Sequence, residues 1–303
     1  MSGTIVEPRS TPAPGAPSAR RAAPAAGPRA VRSAATSVKY VLLIGAAAIF
    51  VGPLLWLFTT AVKAPDEIYT FPPVWWPQSP SWDNFALAWN AAPFDRFFLN
   101  SAITTVAGTA LKVLNAVLTA YAFSFLAFPR KQWLFLVLLG AMMVPGHVVL
   151  LPNFLTIASL GWVNTYAGLI LPGIGSVFAT FLLRQHMLTI PRELIEAAKV
   201  DGAGHLRILF GIVLPVSRPI LLTVVIITVV EEWNNFIWPL IVTNSDHMRT
   251  LPIGLMMLKN QETVANWGTI MAGTVMVMAP MLLIFLIAQR HIVGGLTQGA
   301  VKG

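Results

Sequence analysis

Several ionisable and amide side chains interrupt sequence that is otherwise apolar enough for a lipid bilayer. A charged group inside a membrane is costly unless it is paired, protonated or hydrated, so such residues often serve transport. We expect Lys112 to lie near Glu231 or Glu232. Alternatively, one of these glutamates and the two asparagines that follow them face a watery cavity, where they hydrogen-bond a polyhydroxylated solute. A hydrogen bond to a charged group contributes about 1.5–3 kcal/mol, enough to bias selectivity while permitting release. The candidate residues are Lys112, His147, Glu231, Glu232, Asn234 and Asn235.

Two other interpretations of these residues stay open. They could form a buried polar network that fixes helix packing, and a lone membrane histidine such as His147 is more typical of packing than of ligand binding. They could also move protons in a proton-coupled secondary transporter. The sequence contains no metalloprotease or serine-hydrolase motif and no G-x-x-x-x-G-K-[ST] phosphate loop. Any ATP that drives uphill transport must therefore be hydrolysed by another subunit, so this chain is not expected to be an enzyme.

Six apolar segments must position these residues, and each is near the roughly 20 residues that cross a bilayer. Only 11% of the 303 residues are charged, whereas soluble proteins have about 25%. The absence of cysteine excludes disulfides and cysteine-based metal sites. The predicted fold is therefore an all-α membrane protein with six transmembrane helices. The predicted spans are about 38–62, 100–127, 132–157, 164–184, 219–243 and 268–289.

The distribution of arginine and lysine predicts that both termini are cytosolic. With that orientation, fifteen of these residues are cytosolic and four lie in outer loops, as the positive-inside rule requires. The net charge of +8 is then a topology signal, and nucleic acid is not an expected partner. The predicted domains are a disordered basic tail at 1–39, a transmembrane domain at 40–290 and a cytosolic C-terminal tail at 291–303.

The longest charged segment between apolar blocks, residues 184–218, is here called the knuckle. Pro191 suits a first helical turn and Glu193 suits the positive end of the helix dipole, so residues 191–200 are predicted to form a short helix. Gly202 supplies a sharp turn, because glycine reaches backbone conformations closed to other residues. The knuckle is therefore predicted to be a helix-turn-helix outside the bilayer.

The second helix of the knuckle is expected to begin at His205 and to stop at Pro215. The small side chains of Ala197 and Ala198 would form a face that a groove in another protein could approach closely. Glu196 would lie at the rim of that face together with Lys199. The knuckle therefore has the features of a docking surface.

The spacing EAA-x3-G-x9-I-x-L-P from Glu196 to Pro215 resembles the coupling loop of bacterial ABC importer permeases. An ordinary loop with a chance EAA triplet is the alternative. The segments MMVPGHVVLLPNF, LGWVNTYAGLILP at 160–172, WNNFIWPLIV, TLPIGL and QRHIVGGLTQGAVKG resemble the carbohydrate-uptake branch of these permeases. Within that branch the chain resembles the second, six-helix permease subunit of maltose-type importers, from about Pro53 to Gly303.

The resemblance implies a permease subunit of an ATP-driven, binding-protein-dependent importer in the bacterial cytoplasmic membrane. In this family a second permease subunit completes the pore, two ATP-binding subunits dock on the segment corresponding to 184–218, and an extracytoplasmic binding protein delivers the solute. ATP and Mg²⁺ would then belong to the partners, with no cofactor in this chain. The loop around Leu251 and Pro252 would meet the binding protein, and the C-terminal segment containing Gly295 and Lys302 would reach the ATPases. The residues implied in ATPase coupling are Glu196, Ala197, Ala198, Gly202, Leu214 and Pro215.

A sugar, either an oligosaccharide or a polyol, is the expected solute. Glycerol phosphate and glycerophosphodiesters are the alternative, because the same branch of the family handles them. An anionic solute would fit poorly beside ionised Glu231 and Glu232 unless Lys112 or the partner subunit offset their charge. Whether this chain or its partner contacts the solute stays open.

Overall fold

Every regular element in the residues that the structure describes is a helix. The structure is a computed structural model that describes residues 29–260 and 266–297, with the side chains of 36–259 and 266–289. The chain divides into two units at Pro53, which lies within the first helix. The α-helices are α1 Arg29–Ala61, α2 Pro65–Ile68, α3 Asp83–Asn90, α4 Phe94–Phe125, α5 Lys131–Ala141, α6 Leu150–Ser159, α7 Tyr166–Ile170, α8 Val177–Met187, α9 Arg192–Val200, α10 His205–Ile208, α11 Leu214–Val216, α12 Arg218–Trp233, α13 Ile237–Val242, α14 Leu251–Asn260 and α15 Trp267–Thr297.

Within the described residues, length and composition give three membrane spans that are each a single helix, or up to six spans if each bent helix pair is one span. This agrees with the predicted number of six. The single-helix spans are Thr36–Ala61, Phe94–Phe125 and Trp267–Gln289. The bent pairs join Lys131–Ala141 to Gly146–Ser159 at 90°, Tyr166–Gly173 to Val177–Met187 at 46°, and His205–Val216 to Arg218–Trp233 at 85°.

The bend before α12 lies beyond the point where the second helix of the knuckle was predicted to stop. Pro215 does not end the helix. A π-helix, Leu209–Val213, runs directly into α11, which contains Pro215. The chain turns instead at Ser217, which is fully buried and whose N–H donates to the Val213 carbonyl.

The predicted fifth span, 219–243, is not one helix. Helix α12 ends at Trp233, and a break at residues 234–236 separates it from α13. The Asn234 side chain donates to the Val230 carbonyl and so competes for the end of α12. Pro239 in α13 has no N–H for the carbonyl of Asn235, so an unbroken helix could not pass through this point. The polar residues that were placed in the middle of a span therefore lie at a helix end.

Two of the three apolar clusters in the described part of the second unit hold most of its helices together. The first joins α4, α8, the knuckle and α12, and includes Ala120, Leu183, Ile195, Ile208 and Val224. The second joins the end of α1 to α3, the start of α4, α14 and α15, and includes Ala61, Ala88, Phe97, Leu258 and Ala272. The core around the knuckle is thus continuous with the core of the spanning helices beside it.

Lys63 follows the end of α1 and is buried, although its side chain is charged. It is fully buried, donates to the Val74 carbonyl and lies 4.0 Å above the centre of the Trp56 ring. Asn84, also buried, donates to the Lys63 carbonyl at 2.8 Å. Burial lowers the pKa of Lys63, and the nearby Glu67 carboxylate offsets part of this effect.

Glu67 fastens the irregular segment that follows α2. Its carboxylate accepts hydrogen bonds from the backbone N–H groups of Gln78 and Ser79 and from the Ser79 hydroxyl. Burial alone would raise the pKa of Glu67, but these hydrogen bonds and the Lys63 charge lower it below its ordinary value. The ionised form of Glu67 therefore stabilises this segment.

Acid is expected to loosen residues 63–82. A carboxyl whose pKa is lowered by folding stabilises the fold above the ordinary value near 4.5, and this contribution is lost as the pH falls through the lower folded pKa. Hydrogen exchange at the Gln78 and Ser79 amides should show protection at neutral pH and its loss in acid. Glu67→Gln should give weak protection at every pH, while the exposed neighbour variant Asp66→Asn keeps the acid step. An unchanged acid step in Glu67→Gln would contradict this role.

Candidate functional site

The knuckle forms the predicted helix-turn-helix between α8 and α12. Helix α9 begins one residue later than predicted, because Pro191 is its N-cap with an extended backbone rather than part of its first turn. Gly202 has a φ of 76°, in the left-handed region that favours glycine. Its N–H donates to the Lys199 carbonyl at 3.0 Å and closes the end of α9. The turn therefore depends on glycine, as its sequence predicts.

Helix α9 has a buried face and an exposed face. Ile195 and Ala198 are 4% and 8% exposed and belong to the chain's own core, since residues three apart share one helix face. Glu196, Ala197 and Lys199 are exposed. Ala198 thus packs inward instead of lying on the outer surface where it was expected, and Ala197 and Glu196 remain accessible.

Polar contacts supplement the apolar core between the knuckle and α4. Tyr121 Oη and His205 Nδ1 lie in hydrogen-bond contact at 3.2 Å. Arg184 Nε, at the end of α8, donates to the Phe123 carbonyl at 3.3 Å. On the second half of the knuckle, Leu214 is half-buried and Pro215 is exposed. The predicted coupling residues are therefore held on one structural unit together with α4.

An ion pair joins α4 to α12. Lys112 Nζ lies 2.5 Å from Glu232 Oε1, and each side chain is 14% exposed. The prediction that Lys112 meets Glu231 or Glu232 is thereby decided in favour of Glu232, and Glu231 is exposed. Gly108, one turn before Lys112, makes room for the carboxylate, because a Cβ there would lie 3.3 Å from the Glu232 carboxyl.

The candidate solute residues do not line one common cavity. Asn234 faces an open cavity of about 480 Å³ between α12, α14 and α15, whereas Glu232 and Asn235 border a space of about 10 Å³, roughly the size of one water molecule. His147 is exposed at the bend between α5 and α6 and lines neither space. The larger cavity is also lined by Phe236, Pro252, Met256, Lys259, Thr274 and Met278.

The structure places most of the remaining residues that were predicted to meet partner proteins, and the contacts themselves stay predictions. Leu251 and Pro252 begin helix α14 rather than lying in a loop, and Leu251 is fully buried. Gly295 lies within α15, so this helix continues into the predicted C-terminal tail, and Lys302 lies outside the described residues. Helix α1 begins at Arg29 and includes the last part of the predicted N-terminal tail.

The sequence patterns did not point to Asn100, which organises the segments around the start of α4. Its side-chain amide donates to the carbonyls of His247 and Arg249, each at 2.8 Å, and its carbonyl oxygen accepts from Tyr166 Oη at 2.7 Å. Asn100 is 2% exposed. Its only sequence signal was an amide near the start of an apolar helix, which does not reveal partners far along the chain.

The LGWVNT segment has a structural role. Asn164 has a φ of 58°, and its side-chain oxygen accepts from the backbone N–H groups of Asn244 and Ser245. Thr165 caps helix α7 by accepting from the Gly168 N–H at 3.1 Å. This turn therefore connects α7 to the segment that follows α13. In the sequence, the Asn-Thr pair before a helix was the feature that could have indicated the turn and the helix cap.

Comparison with known proteins assigns the chain to a family. The model of the family described as "Binding-protein-dependent transport system inner membrane component" matches residues 112–298. This match covers more than half of the chain, so the chain belongs to that family. The matched region begins at Lys112 and contains the knuckle and the end of α12.

Several named permeases are similar over most of their length. The probable ABC transporter permease protein YurM of Bacillus subtilis is 36% identical, with 83% of each chain covered. The sn-glycerol-3-phosphate permease UgpE of Yersinia enterocolitica is 33% identical over 85% of this chain and 94% of its own length. The arabinooligosaccharide permease AraQ of Halalkalibacterium halodurans is 34% identical over 90% of this chain and 99% of its own.

A solved structure confirms the fold. A chain of a bacterial ABC transporter that imports the acidic polysaccharide alginate superposes with a TM-score of 0.79, at 20% identity, over 87% of this chain and 98% of that one. The chain therefore has the fold of an ABC importer permease and is a multi-pass inner-membrane permease subunit of a bacterial importer. It works with a solute-binding protein, as the family description states.

Proposed function

We propose that this permease forms its pathway together with a second permease subunit and that two ATP-binding subunits drive it through the knuckle. ATP and Mg²⁺ are held by those partners, and this chain holds no cofactor. Both termini and the knuckle face the cytosol. The excess of arginine and lysine on that side supports the orientation, and the lack of a phosphate loop in the sequence supports hydrolysis on a partner.

The two-faced structure of the knuckle carries this proposal. Glu196 and Ala197 are exposed for a partner, while Ile195 and Ala198 pack into the core shared with α4, α8 and α12. Tightly packed cores move as units rather than deforming gradually. When the ATP-binding subunits close, they therefore displace the exposed face of α9, and the spanning helices packed against the knuckle move with it. The pathway then opens to the other side of the membrane.

Copurification tests the assembly. The chain, isolated from its native membrane in mild detergent, should bring a second permease and an ATP-binding protein, both identified by mass spectrometry. Glu196→Arg should lose the ATP-binding protein and keep the second permease, because the new charge lies on the docking face. Asp66→Arg, the same charge reversal at an exposed site on α2, should keep both partners. A lone chain or homodimer that moves solute along a proton gradient would instead establish a secondary transporter.

A neutral oligosaccharide or polyol is the solute that the contacts favour. Lys112 is held by Glu232, so this intramembrane cation is neutralised and unavailable to an anion. Asn234 and Thr274 supply hydrogen-bonding groups to a largely apolar cavity wall, a composition typical of small-molecule sites. Similarity to AraQ, whose name specifies arabinooligosaccharides, agrees with this assignment.

Glycerol phosphate is the second candidate, because Lys259 lines the same cavity and UgpE is a relative. Uptake by the assembled system in cells should be measured for a labelled arabinooligosaccharide and for labelled glycerol phosphate. For an anionic solute, Lys259→Gln should reduce uptake about tenfold or more, as expected for loss of a charged hydrogen bond of about 1.5–3 kcal/mol. For a neutral sugar it should have little effect. Arg96→Gln, which removes an exposed cation outside the cavity, is the matched control.

A further inference from the structure

A basic cavity of about 410 Å³ lies where α9 approaches the loop between α4 and α5. Three cationic side chains line it, Lys131, Arg192 and Lys199, against the single carboxylate of Glu196. Among the described side chains, none of these three cations has an ion-pair partner within 4.0 Å. The cavity therefore concentrates positive charge that this part of the chain leaves unneutralised.

The arrangement follows from local structure. Arg192, Glu196 and Lys199 are spaced four and three residues apart, so they lie along one face of α9. Lys131 faces them from the other wall and donates to the carbonyls of Ser124 and Leu126 at 3.1 and 2.9 Å. An ammonium group has three N–H donors, so Lys131 keeps one for a ligand.

Two helix N-termini add to the positive potential. Lys131 is the first residue of α5 and Arg192 is the first residue of α9, and neither helix has a side-chain N-cap hydrogen bond. Helix N-termini carry a partial positive charge and uncapped N–H donors, which favour anions. Both helices therefore begin at a residue that lines the cavity, and their dipoles add to its positive potential.

The position of the cavity selects the kind of anion. Its wall includes the end of the apolar span Phe94–Phe125 and the start of the apolar helix Lys131–Ala141, so it lies at the level of lipid headgroups. Phe125, Leu126 and Phe128 give the same cavity an apolar side. A phospholipid presents a phosphate beside an apolar chain, and basic pockets between membrane helices on the cytosolic side bind such headgroups.

We propose that this cavity binds the phosphate headgroup of an anionic phospholipid of the cytosolic leaflet. The proposal rests on the cytosolic orientation of the knuckle proposed above. Glu196 then faces both the lipid and the docking side, so the bound lipid sets the charge beside the surface that receives the ATP-binding subunit. An anionic membrane thereby becomes a condition for efficient coupling.

Lipid binding to the isolated full-length chain tests this directly and requires no ATP-binding partner. Native mass spectrometry in detergent should show phosphatidylglycerol bound in preference to phosphatidylcholine. Arg192→Gln with Lys199→Gln should weaken phosphatidylglycerol binding about tenfold or more, and Glu196→Gln should strengthen it. Arg207→Gln with Arg218→Gln removes the same charge at exposed positions that do not line the cavity and should change nothing. All of these positions are exposed, so melting temperatures should be unaltered.

Other outcomes would overturn the proposal. Equal weakening in both double variants would show general charge attraction without a site. Displacement of the lipid by inorganic phosphate would identify a site for a free anion instead. If Arg192→Gln with Lys199→Gln loses the ATP-binding protein but keeps phosphatidylglycerol, the cavity belongs to the protein partner. Loss of ATPase copurification in Glu196→Arg is a separate measurement, so failure of the coupling proposal and failure of lipid binding are distinguishable.

Discussion

Lys112→Met is expected to destabilise the folded chain strongly, because it leaves the Glu232 carboxylate buried between α4 and α12 without its partner. Removing one member of a buried ion pair typically costs about 3–5 kcal/mol, and the 14% exposure of both side chains places this pair toward the lower end. The same carboxyl lies against Gly108, so it is enclosed by α4 on that side. The thermal transition of the purified chain in detergent measures the effect.

A double-mutant cycle separates the pair from its members. Glu232→Gln should also destabilise, because it leaves Lys112 unpaired, whereas Lys112→Met combined with Glu232→Met should recover most of the loss. Lys259→Met, which removes an exposed lysine from α14, should melt like the parent. Stable single variants with impaired uptake would contradict a mainly structural pair and would place Glu232 in the solute pathway.

The sequence was sufficient to predict the elements whose signals are local. Runs of apolar residues gave the number of spans, and the pairing of Pro191 with Gly202 gave the helix and turn of the knuckle, because cap and turn chemistry acts within a few residues. The intramembrane charges of Lys112 and the two glutamates required partners, so their proximity could be inferred from desolvation cost alone.

The choices among neighbours depended on tertiary structure. Glu231 and Glu232 have the same chemistry, and only the rotation of α12 against α4 decides which one meets Lys112. Asn234 and Asn235 were expected to share a cavity. The chain breaks between α12 and α13 at these residues, however, and the two side chains border different spaces. Ala198 was assigned to the docking face because small residues suit a groove, yet they suit close packing inside the protein equally well.

Gly202→Val is expected to abolish most solute uptake while the chain still inserts and assembles. A left-handed conformation costs a residue with a side chain about 1–2 kcal/mol, and β-branched residues are especially disfavoured there. A Cβ at this position would meet nothing within 4 Å, so the substitution acts through the backbone of the turn and not through a clash. Relaxing φ from 76° would rotate α9 relative to α10 and misplace the exposed face of α9 on which the ATP-binding subunit is proposed to act.

Gly204→Val is the matched control, because Gly204 lies in the same turn with a φ of −71° and open space around it. Valine accepts that backbone conformation, so uptake should be close to normal. Gly202→Asn should be intermediate, since asparagine tolerates the left-handed region better than valine. Uptake and ATP hydrolysis by the assembled complex in proteoliposomes give the two readouts: hydrolysis that continues without uptake in Gly202→Val, but not in Gly204→Val, is uncoupling at the knuckle. Normal uptake by Gly202→Val would show that the geometry of this turn does not transmit the energy of ATP.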